Sequence, residues 1–322
     1  MALFSRLLRT ELLEKGIDEF KLLEEGKGEI PNLAFEDLTH EILREFVKEK
    51  GIGLTTSLLY NKLLYKSKSS EFIRKLDSIE PHLTNLPKLS GKLLIAPSGF
   101  YKELPEYAGD GSLVMEIANQ FGLNSEIIPV NTKGSITENA NVIVEYLKKE
   151  PSDRIIIFSL SKGGSDLLLA LEAAPELQKK ILVWVSFCGI FKGTLLADQF
   201  LSKRGIRKWL QDGIFRTLGI TREFLPEFSY TKGVLAKEVT LRLPNVISVI
   251  GVPIESHLRG NLLRRFRTLS PNGPNDGISL HLDSILPESK IYPVWGADHY
   301  FRFSGISKLI YKIFYYIEEL EK

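Results

Sequence analysis

The stretch Arg154-Ile155-Ile156-Ile157-Phe158-Ser159-Leu160-Ser161-Lys162-Gly163-Gly164 runs from a β-branched and aromatic block straight into a glycine pair, and a helical pattern follows from Ser165. A short, unbroken apolar run reads as a strand covered on both faces. A serine at a sharp strand-to-helix turn sits in strained backbone, and the residues two before and two after it must be small to avoid collision. Ser159 and Gly163 meet that requirement. The turn also brings the backbone N–H of Lys162 to a helix N-terminus, whose positive dipole end favours an anion. Ser161 is therefore the candidate nucleophile and the Lys162 N–H a candidate oxyanion donor. A glycine-rich helix start with an ordinary N-cap serine would use the same residues, so the surrounding chain has to decide.

Moving outward, the texture divides in two. Residues 1–89 repeat apolar side chains at helical spacing (Leu7, Leu8, Leu12, Leu13, Ile17; Leu38, Ile42, Leu43, Phe46; Leu58, Leu59, Leu63, Leu64) and contain no strand-like run. Asn32, Asp37 and Thr39 are expected helix starts, and Gly51-Ile52-Gly53 a helix break rather than a dinucleotide fingerprint, since no strand precedes it. From residue 92 strands alternate with helices. Strands are expected at 93–96, 126–130, 154–160, 181–187, 246–250 and 291–295, and helices at 112–121, 138–149, 165–177 and 307–320. That order predicts an α/β fold with a mostly parallel sheet and helices on both faces. Residues 191–237 are long, basic and helix-rich and read as an insertion, a cap or lid on the sheet. The expected organisation is thus a helical segment at 1–89 and an α/β domain at 90–322.

With 43% hydrophobic residues in a chain of 322, there is ample material for a large core. The 42 Lys and Arg balance 40 Asp and Glu, which gives no electrostatic case for nucleic acid as a partner. The single cysteine, Cys188, cannot form an internal disulfide and fits a reducing compartment. The first nine residues are interrupted by Arg6 and Arg9 before any apolar run develops, unlike a secretory signal. A cytoplasmic location is expected. Lys203, Arg204, Arg207 and Lys208, beside Trp209, Leu210, Ile214 and Phe215, form either a solvated face or a peripheral membrane contact.

The order of strands, helices and the serine elbow resembles the α/β-hydrolase fold over residues 92–322, with the N-terminal helices standing where the family has its first two strands. Three local stretches resemble bacterial lipases and their acyl-hydrolase relatives. Lys192-Gly193-Thr194-Leu195-Leu196-Ala197-Asp198 resembles the start of a lipase lid region. Asn275-Asp276-Gly277-Ile278 resembles the stretch that carries the triad acid. Gly296-Ala297-Asp298-His299-Tyr300 resembles the loop that carries the triad histidine. In such enzymes a His-Gly-X loop after the first sheet strand gives the second oxyanion donor, from the N–H of X. Here Ser98-Gly99-Phe100 stands in that place, so the resemblance implies Phe100 as donor, with Ser98 replacing the histidine.

Chemistry alone narrows the partners. A serine hydroxyl needs a base within hydrogen-bond reach, and the base needs a carboxylate to fix its tautomer. Of the five histidines, His40 and His82 precede the elbow, His257 precedes most acid candidates, and His281 is expected on a surface helix. His299 alone follows the last strand, at the carboxyl edge where open α/β sheets bind ligands. Two acids compete. Asp276 sits in a turn-forming Asn-Asp-Gly and carries the family resemblance, and Glu255 lies closer to the end of the strand at 246–250. Asp283 is expected on a helix, and Asp298 adjoins His299 too closely to orient it.

The constellation implies a serine hydrolase, esterase- or lipase-like, that cleaves a carboxylic ester or related acyl bond through an acyl-enzyme. Ser161, Asp276 and His299 would form the triad, and Lys162 and Phe100 the oxyanion hole. The expected substrate is a small ester or lipid-like acyl compound, and no cofactor or metal is expected. A thioesterase or acyltransferase would use the same residues. A non-catalytic scaffold acting as a binding module is the remaining alternative. His281-Leu282-Asp283 lacks the companions of a metal site, and Cys188 reads as a small buried hydrophobe.

Overall fold

The computed structural model describes residues 19–28, 33–202 and 223–322. Asn32 and the basic and apolar residues expected on the insertion, Lys203 to Phe215, lie outside them. Six strands form one sheet: β1 (Lys92–Ala96), β2 (Asn124–Ile127), β3 (Ile155–Leu160), β4 (Ile181–Phe187), β5 (Val246–Val252) and β6 (Lys290–Trp295). Their order is β2-β1-β3-β4-β5-β6, and every neighbouring pair is parallel.

Strand periodicity sorts the core into two layers. Leu93 and Ile95 of β1, Ile156 and Phe158 of β3, and Val183 and Val185 of β4 face one side. They pack there on α4 (Ser70–Ser78), α5 (Ser112–Gln120) and α11 (Ile306–Glu321). The alternate residues Leu94, Ile155, Ile157 and Trp184 face the other side, against α6 (Ile136–Lys149) and α7 (Lys162–Ala173). Each such side chain, wholly removed from water, contributes about 1.5–3 kcal/mol. That is why these strands carry unbroken apolar runs instead of alternation.

The N-terminal helices join this core. The described ones are α1 (Glu19–Gly28), α2 (His40–Lys50), capped by the Thr39 hydroxyl on the Ile42 N–H at 3.3 Å, and α3 (Ile52–Tyr65). Gly51, at φ 81°, ends α2 and starts α3, the break expected there. Leu43, Leu59 and Leu63 pack with Ile250, Val252 and Ile291 over the β6 edge. Between β4 and β5, α8 (Leu195–Leu201) leads out and α9 (Phe224–Glu227) leads back. Thr194 pairs with Ser229, and the Asp198 carboxylate accepts from the Ser229 hydroxyl and, at 3.2 Å, from the Thr231 N–H. These contacts hold the residues that follow β4 against those that follow α9.

Some expectations fail locally. β2 lies at 124–127 rather than 126–130, because Pro129 has no N–H for the ladder and the edge pairs earlier, Asn124 opposite Lys92. The helix expected to run to 177 stops at Ala173, where Pro175 opens a 3-10 turn, Pro175–Lys180. α10 (Gly260–Leu269) was not anticipated; it buries Leu262, Phe266 and Leu269 on one side. His281 and Asp283 are not on a solvated surface helix. They sit in a 3-10 turn, His281–Ser284, and are 1% and 2% exposed. Among the described helices none is long and apolar enough to cross a membrane.

Candidate active site

β3 ends one residue before Ser161, whose backbone is at φ 50°, ψ −114° with no side-chain cap to its helix. This excludes the ordinary N-cap serine and makes the turn a strained elbow. The surroundings impose it. The Ser161 N–H donates to the Phe187 carbonyl at 2.9 Å, and the Gly164 N–H returns to the Ser161 carbonyl at 3.0 Å. A Cβ on Gly163 would lie 2.1 Å from the Ala96 carbonyl oxygen, so only glycine fits beneath the turn. Ser159, where glycine is usual, is fully buried, and its hydroxyl accepts the Trp184 indole N–H at 2.8 Å. Alanine raises intrinsic helix stability over glycine by about 1 kcal/mol, whereas overpacking against immovable backbone costs about 1–3 kcal/mol. Gly163→Ala is therefore expected to destabilise, by a margin of about 1 kcal/mol or more in urea unfolding.

His299 follows β6 and is 5% exposed. Its Nε2 lies 2.7 Å from Ser161 Oγ and its Nδ1 lies 2.6 Å from Asp276 Oδ2. Asp276 is 1% exposed, and its two oxygens divide the work. Oδ1 accepts the backbone N–H groups of Ile278 and Ser279, at 2.9 and 2.8 Å, as a turn aspartate does, while Oδ2 faces the histidine. Burial alone would push the Asp276 carboxyl up. The adjoining His299 and the Ser279 N–H outweigh it and hold the carboxyl down, at about 2. An ionised carboxylate only accepts, so His299 Nδ1 carries the proton and Nε2 is left to accept the Ser161 hydroxyl. The stabilising contribution of ionised Asp276 is present above the ordinary carboxylate range and is lost as pH falls towards 2. Its size is about 2 kcal/mol. A thermal-unfolding series from pH 5 to pH 2 is expected to show a steeper fall in wild type than in Asp276→Asn.

The rival acid is elsewhere. Glu255 lies on a 3-10 turn with its side chain 45% exposed, and accepts from Arg267 Nε at 2.9 Å. Of the other histidines, His82 is exposed and His40 lies 3.0 Å from Asp283. His257 accepts the Ile254 N–H on Nδ1 and meets Glu19 through Nε2 at 2.5 Å; Glu19 also accepts the Trp295 indole N–H. His281 is buried beside Asp276, and desolvation lowers it to about 4 despite that carboxylate. Cys188 was read as a buried hydrophobe. It is 1% exposed, and its sulfur lies within 4.8 Å of the Asp276 and His299 ligand atoms. Burial, with Asp276 nearby, raises its pKa well above the usual thiol value.

The two expected oxyanion donors differ. The Lys162 N–H belongs to the first turn of α7, where helix N–H groups have no intrahelical acceptor. The Phe100 N–H is not free as the loop stands, because it donates to the Thr132 carbonyl at 2.9 Å. The loop after β1 thus folds back on the loop after β2. Phe100, Ser161, Cys188 and Phe301 all have positive φ, at 59°, 50°, 44° and 53°. Such conformations persist in non-glycine residues only where the surroundings over-determine them, and they cluster at functional sites. Aromatic rings flank the site. Tyr300, next to His299, stacks on Tyr107 with centroids 4.2 Å apart, and Phe100 meets Phe224 of α9 edge-on at 5.3 Å. A separate cavity of about 690 Å³, lined among others by Phe35, Lys68, Phe191, Tyr230 and Leu286, touches none of Ser161, Asp276 and His299.

A parallel sheet with order β2-β1-β3-β4-β5-β6, a strained serine elbow after β3 and helices on both faces constitute the α/β-hydrolase fold. Solved structures agree. The chain is similar to a metagenomic carboxyl esterase at 19% identity and a TM-score of 0.57, over 73% of this chain and 78% of that one. It is also similar to the mature form of a lipase from Bacillus licheniformis, at 18% identity and a TM-score of 0.52, over 73% of this chain and 94% of the lipase. No protein-family profile matches the sequence, and no curated protein matches it.

Proposed function

We propose that the protein is a serine hydrolase that cleaves a carboxylic ester or a related acyl bond. The observation that carries this is the unbroken relay from Ser161 Oγ to His299 Nε2 and from His299 Nδ1 to Asp276 Oδ2, held at 2.7 and 2.6 Å on a strained elbow. Ser161 attacks the acyl carbon while its proton passes to His299 Nε2, and the imidazolium that forms is stabilised by Asp276. His299 then protonates the leaving alkoxide. Water, deprotonated by the same nitrogen, releases the acid from the acyl-enzyme. Every step is carried by side chains and water.

The oxyanion forms beside the Lys162 N–H, at the positive end of α7. The Phe100 N–H joins by leaving the Thr132 carbonyl. A hydrogen bond to a charged oxygen is about twice as strong as one to a neutral carbonyl. The exchange is therefore favoured when the substrate oxygen bears charge and not before, which is stabilisation confined to the transition state.

In this reading the segment 191–237 serves as the cap, residues 90–322 carry the catalytic machinery, and the described helices α2 and α3 of the segment 1–89 buttress the β6 edge. Phe100, Phe224, Tyr107 and Tyr300 give the acyl group an apolar, aromatic environment, which favours a lipid-like or aromatic ester over acetate. The test is a series of p-nitrophenyl esters from acetate to decanoate. The expected result is hydrolysis with kcat/KM rising beyond acetate. Equal rates along the series would remove the apolar-pocket assignment, and no hydrolysis of any acyl ester would remove the hydrolase assignment.

A further inference from the structure

Beneath the elbow, a chain of buried polar contacts connects α7 to the loop that carries Phe100. The Lys162 side chain is 4% exposed, and its ammonium donates to both carboxylate oxygens of Asp166, at 2.6 and 2.7 Å. Asp166, 1% exposed, also accepts from Asn139 Nδ2 at 2.8 Å. Asn139, in the first turn of α6, brackets the backbone of Asn131. Its Oδ1 accepts the Asn131 N–H at 3.1 Å and its Nδ2 donates to the Asn131 carbonyl at 3.0 Å. The next carbonyl along, that of Thr132, is the one that accepts the Phe100 N–H. A second tie runs alongside, from the Thr132 hydroxyl to Glu103 at 3.0 Å. Lys162 also reaches the loop directly: a Cβ on Gly99 would lie 3.1 Å from its Cδ.

A buried ion pair is a poor source of stability, because desolvation offsets the attraction and apolar residues of similar volume serve as well. Burial pushes the Asp166 carboxyl up to about 6 against the pull of Lys162, and pushes the Lys162 ammonium down. What such a network supplies is direction, since each hydrogen bond fixes an angle as well as a distance. We propose that the Lys162–Asp166–Asn139 chain is a positioning device for the oxyanion hole: it fixes the Asn131–Thr132 backbone and, through it, the resting place of the loop from which the Phe100 N–H turns to the oxyanion. The residue after the nucleophile thus has two roles, a backbone donor and a side chain that sets the second donor. This inference rests on the hydrolase reading above.

The test uses the full chain and p-nitrophenyl butyrate. In Lys162→Met/Asp166→Leu both buried charges are gone, and the unfolding midpoint is expected to return close to wild type, above that of Lys162→Met alone. If the chain positions the oxyanion loop, kcat of the double variant stays down by roughly 10- to 100-fold with KM within about threefold. If the chain serves packing alone, kcat recovers together with stability. Asn139→Leu cuts the other end and leaves the ion pair whole, and is expected to give the same loss in kcat at near-constant KM. A wild-type or raised kcat in either folded variant overturns the inference. Wild type that hydrolyses no ester and takes up no serine-directed label instead ends the hydrolase reading itself.

Discussion

Ser161→Ala is expected to lower kcat by roughly 10⁴- to 10⁶-fold with KM changed by less than about tenfold, because the variant keeps the site and loses the only attacking atom. The residual rate comes from oxyanion stabilisation and binding, which do not need the hydroxyl. Alanine retains the Cβ that the elbow already accommodates at φ 50°. The Ser161 hydroxyl pairs with the His299 side chain, a contact of the site rather than of the core, so the fold is expected to survive and the unfolding midpoint to stay close to wild type. A variant with wild-type turnover would show that some other group attacks.

The second large effect is at Asp276. Asp276→Asn is expected to lower kcat by about 10⁴-fold while leaving the loop in place. The asparagine oxygen can still accept from Ile278 and Ser279, as Oδ1 does now. Its amide then turns an N–H towards His299 Nδ1, which must accept it. The ring is driven to the other tautomer, with the proton on Nε2, and the Ser161 hydroxyl loses its base. Glu255→Gln supplies the contrast. That carboxylate is exposed and engaged by Arg267, so its loss is expected to change kcat by less than about twofold. The reverse pattern would make Glu255 the acid.

The sheet was legible because its signal is local. β1, β3, β4 and β5 are apolar runs buried along nearly their whole length, and the six expected strands are found among the described residues, with β2 displaced because its apolar stretch contains Pro129 and follows the ladder rather than forming it. The elbow was legible because hard-sphere contact dictates it: Gly163 has no room for a side chain. His299 emerged by elimination among five histidines, each placed by chain order. Asp276 could not be separated from Glu255 on residues alone, since both are acids near a strand end, and the resemblance to lipases favoured the one that the structure brings to His299.

What escaped was tertiary. His281-Leu282-Asp283 reads as part of a solvated helix, and only the packing around Asp276 buries it, in a 3-10 turn. The α10 stripe of Leu262, Phe266 and Leu269 was present at helical spacing but short and crowded by arginines. Lys162 was read for its backbone alone. The i,i+4 spacing to Asp166 was visible, yet such pairs are ordinarily exposed and weak, and nothing in the sequence says that this one is buried or that Asn139 joins it. The engagement of the Phe100 N–H by Thr132 depends on two loops meeting in space, 32 residues apart in the chain, and no local pattern encodes it.

The most direct measurement is covalent labelling with a fluorophosphonate, followed by mapping of the modified peptide. The account predicts one stoichiometric adduct on Ser161 in wild type, none in Ser161→Ala, and strongly slowed labelling in His299→Ala, where the hydroxyl has no base. An adduct on another residue, or equal labelling of wild type and Ser161→Ala, would contradict it.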